Sequence, residues 1–144
     1  MYQNEISFRL HALVYSIDKI ANQVLREHGS NTFPQFLVVL CVYTNPHSTQ
    51  KFIADWLQIT EATVCFTVKR LVAAGLIHVE ADPNDLRTKR LTATSSGIKF
   101  IESVYPKLDQ AIAPHYSKLT PKQLSDLMNS ISILQTSINK GECV

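Results

Sequence analysis

From Ile6 to Leu25 the apolar residues fall at positions 6, 10, 13, 14, 17, 20, 21, 24 and 25, the three-and-four spacing of one helical face. His28-Gly29 closes the run, with Gly supplying the C-cap. The spacing predicts a helix of about 24 residues, roughly 36 Å long. A small domain's own core does not cover such a stripe over its whole length. At the far end Leu124, Leu127, Met128, Ile131, Leu134 and Ile138 repeat the spacing after Thr120-Pro121, an N-cap followed by Pro at the first helical position. Two amphipathic terminal helices therefore need a cover. The economical one is a second copy of the chain, in a symmetric homodimer.

With 144 residues and 45% hydrophobic content the chain has enough material for one domain with a real core and no covalent staples. No apolar run approaches 18 residues, so no membrane partner is expected. The N-terminus MYQNEISFRL lacks the basic and apolar regions of a secretory signal, which points to the cytoplasm. Cys41, Cys65 and Cys143 are an odd number without CxxC spacing, so neither a disulfide framework nor a zinc site is expected. Cys41 sits in the apolar run VVLCVY, with nothing beside it to stabilise a thiolate.

The middle of the chain breaks into shorter units. Thr32 to Asn45 is a strongly apolar helix stopped by Asn45-Pro46, Ser48 caps a helix to about Leu57, and a third helix runs from Glu61 to Ala74 with Gly75 ending it. Strand formers follow at Leu76 to Ala81 and Lys89 to Ala93. Thr94-Ser95-Ser96-Gly97 opens another helix, in which Pro106 and Pro114 are expected to mark bends or breaks. Two short helices joined by a tight break and followed by a strand pair describe a winged helix-turn-helix. The expected fold is mainly α with a small β wing, a single domain over 1–144. Its DNA-binding lobe would span about 46–99, with dimerisation helices at about 5–28 and 100–140.

Charge supports that division. Between Pro46 and Lys99 lie seven bases and five acids, while the rest of the chain holds seven of each, so the net charge of +2 resides in the centre. In a helix-turn-helix the second helix sends its N-terminal side chains to base edges. Here it opens at Thr60 and Glu61, and Thr63, Phe66, Thr67 and Arg70 lie off its inward stripe. Thr63 and Thr67 can hydrogen-bond bases or touch thymine methyls, Glu61 can accept from cytosine or simply complement the helix dipole, and Phe66 suits either thymine or the core. Lys69 and Arg70 suit phosphate. Ser48, Thr49 and Gln50 open the preceding helix, where they either contact phosphate or only cap. In the wing, Arg87 is the candidate for the minor groove, with Lys89 and Arg90 for phosphate. Asp85 is expected to hold the Arg87 guanidinium and stiffen the tip.

Enzymatic signatures are missing from the sequence: there is no HExxH, no Gly-rich phosphate loop and no GxSxG, and the chain holds only four glycines. His78, Glu80 and Asp82 alternate along a strand, but one nitrogen ligand makes a poor transition-metal site. Neither catalysis, a metal nor a cofactor is expected.

Leu71-Val72-Ala73-Ala74-Gly75-Leu76-Ile77, Asp82-Pro83-Asn84-Asp85-Leu86-Arg87, and Thr94 with Gly97 resemble the pattern of the MarR (multiple-antibiotic-resistance regulator) family, and the likeness extends over nearly the whole chain. The resemblance implies a homodimeric transcriptional regulator, usually a repressor, on a pseudopalindromic operator of double-stranded DNA. It implies Arg87 as the minor-groove arginine and places Thr63, Cys65 and Phe66 at major-groove contacts. It further implies release by a small aromatic or phenolic effector, with His11, Tyr15, Phe36 and Tyr43 as lining residues. Two positions depart from the family: Phe66 stands where a polar or basic residue is common, and Ala93 where Leu usually precedes the Thr. Phe66 favours the alternative, a winged helix used for protein contact with DNA binding weak or lost.

Overall fold

The order of capping residues and apolar stripes is what divides the chain into its elements. A computed structural model of the protein describes residues 2–29 and 31–141. Six helices and one hairpin follow in order among them: α1 (Tyr2–Glu27), α2 (Phe33–Thr44), α3 (Gln50–Leu57), α4 (Glu61–Ala73), β1 (Ile77–Asp82), β2 (Asp85–Ala93), α5 (Ser95–Tyr116) and α6 (Pro121–Gly141). This is the winged-helix arrangement, mainly α with a β wing.

Helix α2 is the centre of the core. It is apolar on nearly every side, which is the mark of a helix enclosed by others. Phe36, Val38, Val39, Cys41 and Val42 are buried, and α1, α3, α4, α5 and β2 all pack on it. Its start is fixed by a reciprocal cap in which Thr32 Oγ1 accepts from Gln35 N and Gln35 Oε1 accepts from Thr32 N. Asn22 of α1 accepts from Phe33 N at 2.9 Å, tying the two helices together. Ile53, Val64, Val68, Leu71, Leu91, Ile101 and Val104 complete the interior.

Cys41 is fully buried, and that burial pushes its thiol up to about 11. Its thiolate population at neutral pH is therefore negligible. Native protein treated with iodoacetamide at pH 7 should leave Cys41 unmodified, and denatured protein should be modified there; mass spectrometry that finds Cys41 alkylated in the native state contradicts its placement. Cys65 is half-buried, and Cys143 lies outside the described residues.

Two expectations need correcting. Helix α5 runs through Pro106 and Pro114 without ending at either, so of the bend or break expected there the break is excluded. Both prolines, and the residues Glu102 and Gln110 whose carbonyls they deprive of a donor, are exposed, so water can satisfy those carbonyls. Ser48 is not the cap of α3. Its backbone forms a one-residue bridge to β2, with His47 N donating to Leu91 O and Leu91 N to Ser48 O, both at 2.9 Å. That bridge moves the cap one residue on, to Thr49, whose hydroxyl accepts from Phe52 N at 3.1 Å.

The first half of α1 and most of α6 find no cover in the chain. Ile6, Phe8, Leu13 and Val14 of α1 and Met128, Ile133, Leu134 and Ile138 of α6 are exposed. Among the described residues, no helix is long and apolar enough to cross a membrane.

Candidate nucleic-acid interface

Helix α3, the turn at Gln58 and helix α4 form the helix-turn-helix. Gln58 takes the left-handed conformation (φ 57), and Thr60 then caps α4, accepting from Thr63 N at 3.2 Å. Glu61, Ala62, Thr63, Phe66, Lys69 and Arg70 are exposed on α4. Thr60 and Thr63 share a hydroxyl hydrogen bond of 2.8 Å, and the Arg70 guanidinium lies over the Phe66 ring at 4.5 Å from its centroid. Phe66 is thus an outward residue and not a core one.

Thr67 is misassigned by the sequence reading. It is buried, and its hydroxyl donates to Thr63 O at 2.9 Å. The position falls between Val64, Val68 and Leu71 on the inward face, and the backbone carbonyl one turn back satisfies its hydroxyl, so a polar residue is tolerated there. Ser48 is likewise buried and removed from any surface phosphate. Thr49 and Gln50 remain half-exposed at the start of α3.

In the wing, β1 and β2 pair antiparallel from Ile77 opposite Ala93 to Ala81 opposite Lys89. That ladder matches the two strand-forming runs. The register then shifts: Asp82 faces Asp85, and Leu86, Arg87 and Thr88 have no partners on β1. They bulge out as the tip. Two carboxylates build this tip, and Asp85 does so in a different way from the one expected. Asp85 accepts from Arg87 N at 3.0 Å and from Thr88 Oγ1 at 3.1 Å, so it fixes the backbone of the tip and not the Arg87 guanidinium. Asp82 accepts from Asn84 N at 2.8 Å and from Arg90 Nε at 2.8 Å, while Arg90 also donates to His47 O at 3.3 Å. Arg90 is therefore a brace inside the lobe and is not free for phosphate. The Arg87 guanidinium makes no hydrogen bond or ion pair among the described residues and is exposed, as is Lys89. The signal for both carboxylates was legible: Asp accepting from the amide two residues on is an ordinary turn device, and DPN and DLR each offer it.

The Asn84 amide, and after it the Arg90 side chain, hold the Asp82 carboxyl below its ordinary value of 3.8. A depressed carboxylate stabilises the fold above its ordinary value, and that contribution disappears as pH falls through the lowered one. The wing should therefore keep its resistance to proteolysis between pH 7 and pH 5 and lose it in stronger acid, with cleavage at 83–88 appearing first. Cleavage there that rises between pH 7 and pH 5 contradicts the assignment. His78 Nε2 and Glu80 Oε1 are 3.0 Å apart on β1, but Asp82 turns to Arg90, so the three do not converge on a metal.

The base of the wing is locked to α5. Thr94 N donates to Leu76 O at 3.1 Å, Thr94 Oγ1 donates to Gly75 O, and Gly97 N donates to Thr94 Oγ1 at 3.0 Å. The spacing of Gly75, Leu76, Thr94 and Gly97 is the chemistry of this junction.

The four residues expected to line an effector site do not meet within one chain. Phe36 is buried and borders an apolar cavity of about 540 Å³ between α2, α5 and the start of α6, with Leu37, Tyr105, Ile112 and Tyr116. Tyr43 borders a separate recess with Trp56 and Tyr105. His11 and Tyr15 are exposed on the part of α1 that extends past the chain's own core.

Residues 32–89 match the model of the MarR family. The matched stretch runs from the start of α2 into β2 and takes in the whole helix-turn-helix. The winged-helix fold of the chain is shared over almost its full length with solved regulators. It superposes on the transcriptional regulator SlyA with a TM-score of 0.85 (22% identity, 94% of this chain and 95% of that one). A Staphylococcus aureus MepR–DNA complex gives 0.81 (25% identity, 91% and 96%). S. aureus MarR in complex with salicylate and kanamycin gives 0.80 (22% identity, 97% and 94%). In sequence, the chain is 27% identical over 103 residues to YkoM, an uncharacterized HTH-type transcriptional regulator of Bacillus subtilis, spanning 72% of this chain and 66% of YkoM.

Proposed function

We propose that this chain is a homodimeric transcriptional repressor of the cytoplasm. It places α4 in successive major grooves of a pseudopalindromic operator and the wing tip in the flanking minor grooves. The observation that carries the reading is the wing: two carboxylates are spent on backbone and brace, and the tip they build displays an arginine whose guanidinium is unpaired among the described residues. A hairpin used only to turn the chain has no need of a rigid tip presenting a cation, and the narrow minor groove attracts one. Thr49, Gln50, Lys69, Arg70 and Lys89 supply the flanking phosphate contacts, with the lobe at about 46–99 acting as the DNA-binding unit. The exposed faces of α1 and α6, within about 5–28 and 100–140, join two protomers. A small aromatic or phenolic effector fits the apolar cavity beside Phe36 and Tyr105, at the junction of the two units.

A footprint on DNA selected by the protein from a random duplex pool tests this. The expected pattern is two protected half-sites about one helical turn apart, on one face of the duplex. A single unsymmetrical half-site, or no selected sequence, overturns it. The protein-contact alternative draws its support from the exposed Phe66 ring, and the same selection rejects it when a sequence emerges.

A further inference from the structure

The first two turns of α4 lack the side chains that usually discriminate bases. Arg, Lys, Asn and Gln make the bidentate contacts to guanine and adenine edges, and none of them occurs between Glu61 and Val68. The exposed side chains there are Glu61, Ala62, Thr63 and Phe66. The Thr63 hydroxyl is already engaged by Thr60. Ala62 and Phe66 stand four residues apart and Thr63 and Phe66 three, so the methyls and the ring share one patch of helix surface. Phe66 is 59% exposed on it, which gives the ring little to gain from the chain's own core. Arg70 covers the ring at 4.5 Å, on the side away from Ala62 and Thr63 in sequence, and brings a cation to the edge of the apolar patch.

An apolar patch bordered by a fixed cation complements one feature of the major groove: the 5-methyl group of thymine, which projects from the base edge close to a phosphate. We propose that Phe66, with Ala62 and Thr63, selects the operator through thymine methyl groups, and that Arg70, steadied on the ring, neutralises the adjoining phosphate. The inference rests on the DNA-binding reading above and names the chemistry by which that face discriminates. Base choice by α4 is then led by methyl contacts and not by hydrogen bonds.

The test removes the methyl without touching the protein. A duplex selected from a random pool is remade with deoxyuridine at each thymine of its half-sites in turn, and binding is followed by fluorescence anisotropy. At one or two positions per half-site the loss should be about fourfold for each methyl removed, near fifteenfold when both half-sites are changed. The Phe66→Ala variant should bind the thymine and deoxyuridine duplexes alike. Equal binding of both duplexes by the unaltered protein overturns the methyl reading while leaving sequence-specific binding intact. A deoxyuridine penalty that persists in Phe66→Ala shows that the ring does not read the methyl and overturns it too. Failure to select any sequence overturns this proposal together with the one beneath it.

Discussion

Replacing Gly97 by Ala should lower the unfolding free energy by about 3 kcal/mol, the upper end of what inserting one methyl into a packed site costs. The cause is local. A Cβ at Gly97 would stand 2.1 Å from the carbonyl oxygen of Leu76 and 3.5 Å from the Cβ of Ala93. The Leu76 oxygen cannot retreat easily, because it accepts from Thr94 N and belongs to the junction that joins the end of α4 to the start of α5. The recess also explains how the small Ala93 is accommodated: the first turn of α5 comes in close to the base of the wing. Gly75 provides the internal comparison. Its φ of +76 favours glycine, but an added Cβ meets nothing within 4 Å. Gly75→Ala should therefore cost only the conformational penalty, about 1 kcal/mol. Urea unfolding with unchanged slope and two shifted midpoints checks both values. Equal costs at the two glycines would mean that the close approach of α5 to Leu76 is wrong.

Arg87→Ala should weaken operator binding about tenfold to a hundredfold, as expected for an arginine that reaches a base edge. It should leave folding stability within about 0.5 kcal/mol, since the removed atoms are exposed and unpaired. The neighbouring basic residue separates the two roles. Arg90 is held by Asp82 at 2.8 Å and by His47 O, so Arg90→Ala should act through the wing, with earlier proteolysis at the tip and a smaller change in affinity. Asp85→Ala should fall between them, because it frees the Arg87 backbone but leaves the guanidinium in place. If Arg87→Ala binds the operator like the unaltered protein, the tip does not enter the groove and the wing assignment fails.

Much of the fold was legible because strong local signals agreed with the tertiary arrangement. The long stripes of α1 and α6, the helix starts at Thr32, Thr60 and Thr94 and the Gly75 stop all stand where the elements begin or end. The misreadings have a common physical origin. Ser48 and Thr67 are polar residues that look suited to phosphate or bases, yet a backbone bridge to Leu91 draws one inward and a carbonyl one turn back satisfies the other. Neither partner is visible in a one-dimensional pattern. Asp82 and Asp85 were legible as a charged turn, but that Asp82 would hold Arg90 while Asp85 held only the tip backbone and Thr88 depended on the three-residue bulge at Leu86–Thr88, which composition does not set. His11 and Tyr15 lie on the stretch of α1 that a single chain does not cover, so no contact within the chain fixes their surroundings.

The central claim, that this fold binds a specific duplex through its α4 and wing cations, is tested most directly by measuring the association constant for the selected operator and for a scrambled duplex of equal length across a series of salt concentrations. Lys69, Arg70 and Lys89 give three phosphate-directed cations per protomer and six in a dimer, so the logarithm of the constant should fall against the logarithm of salt with a slope of about −5. The operator should also bind at least about a thousandfold more tightly than the scrambled duplex at physiological salt. Weak binding that is equal for the two duplexes, with a slope near zero, would contradict the account.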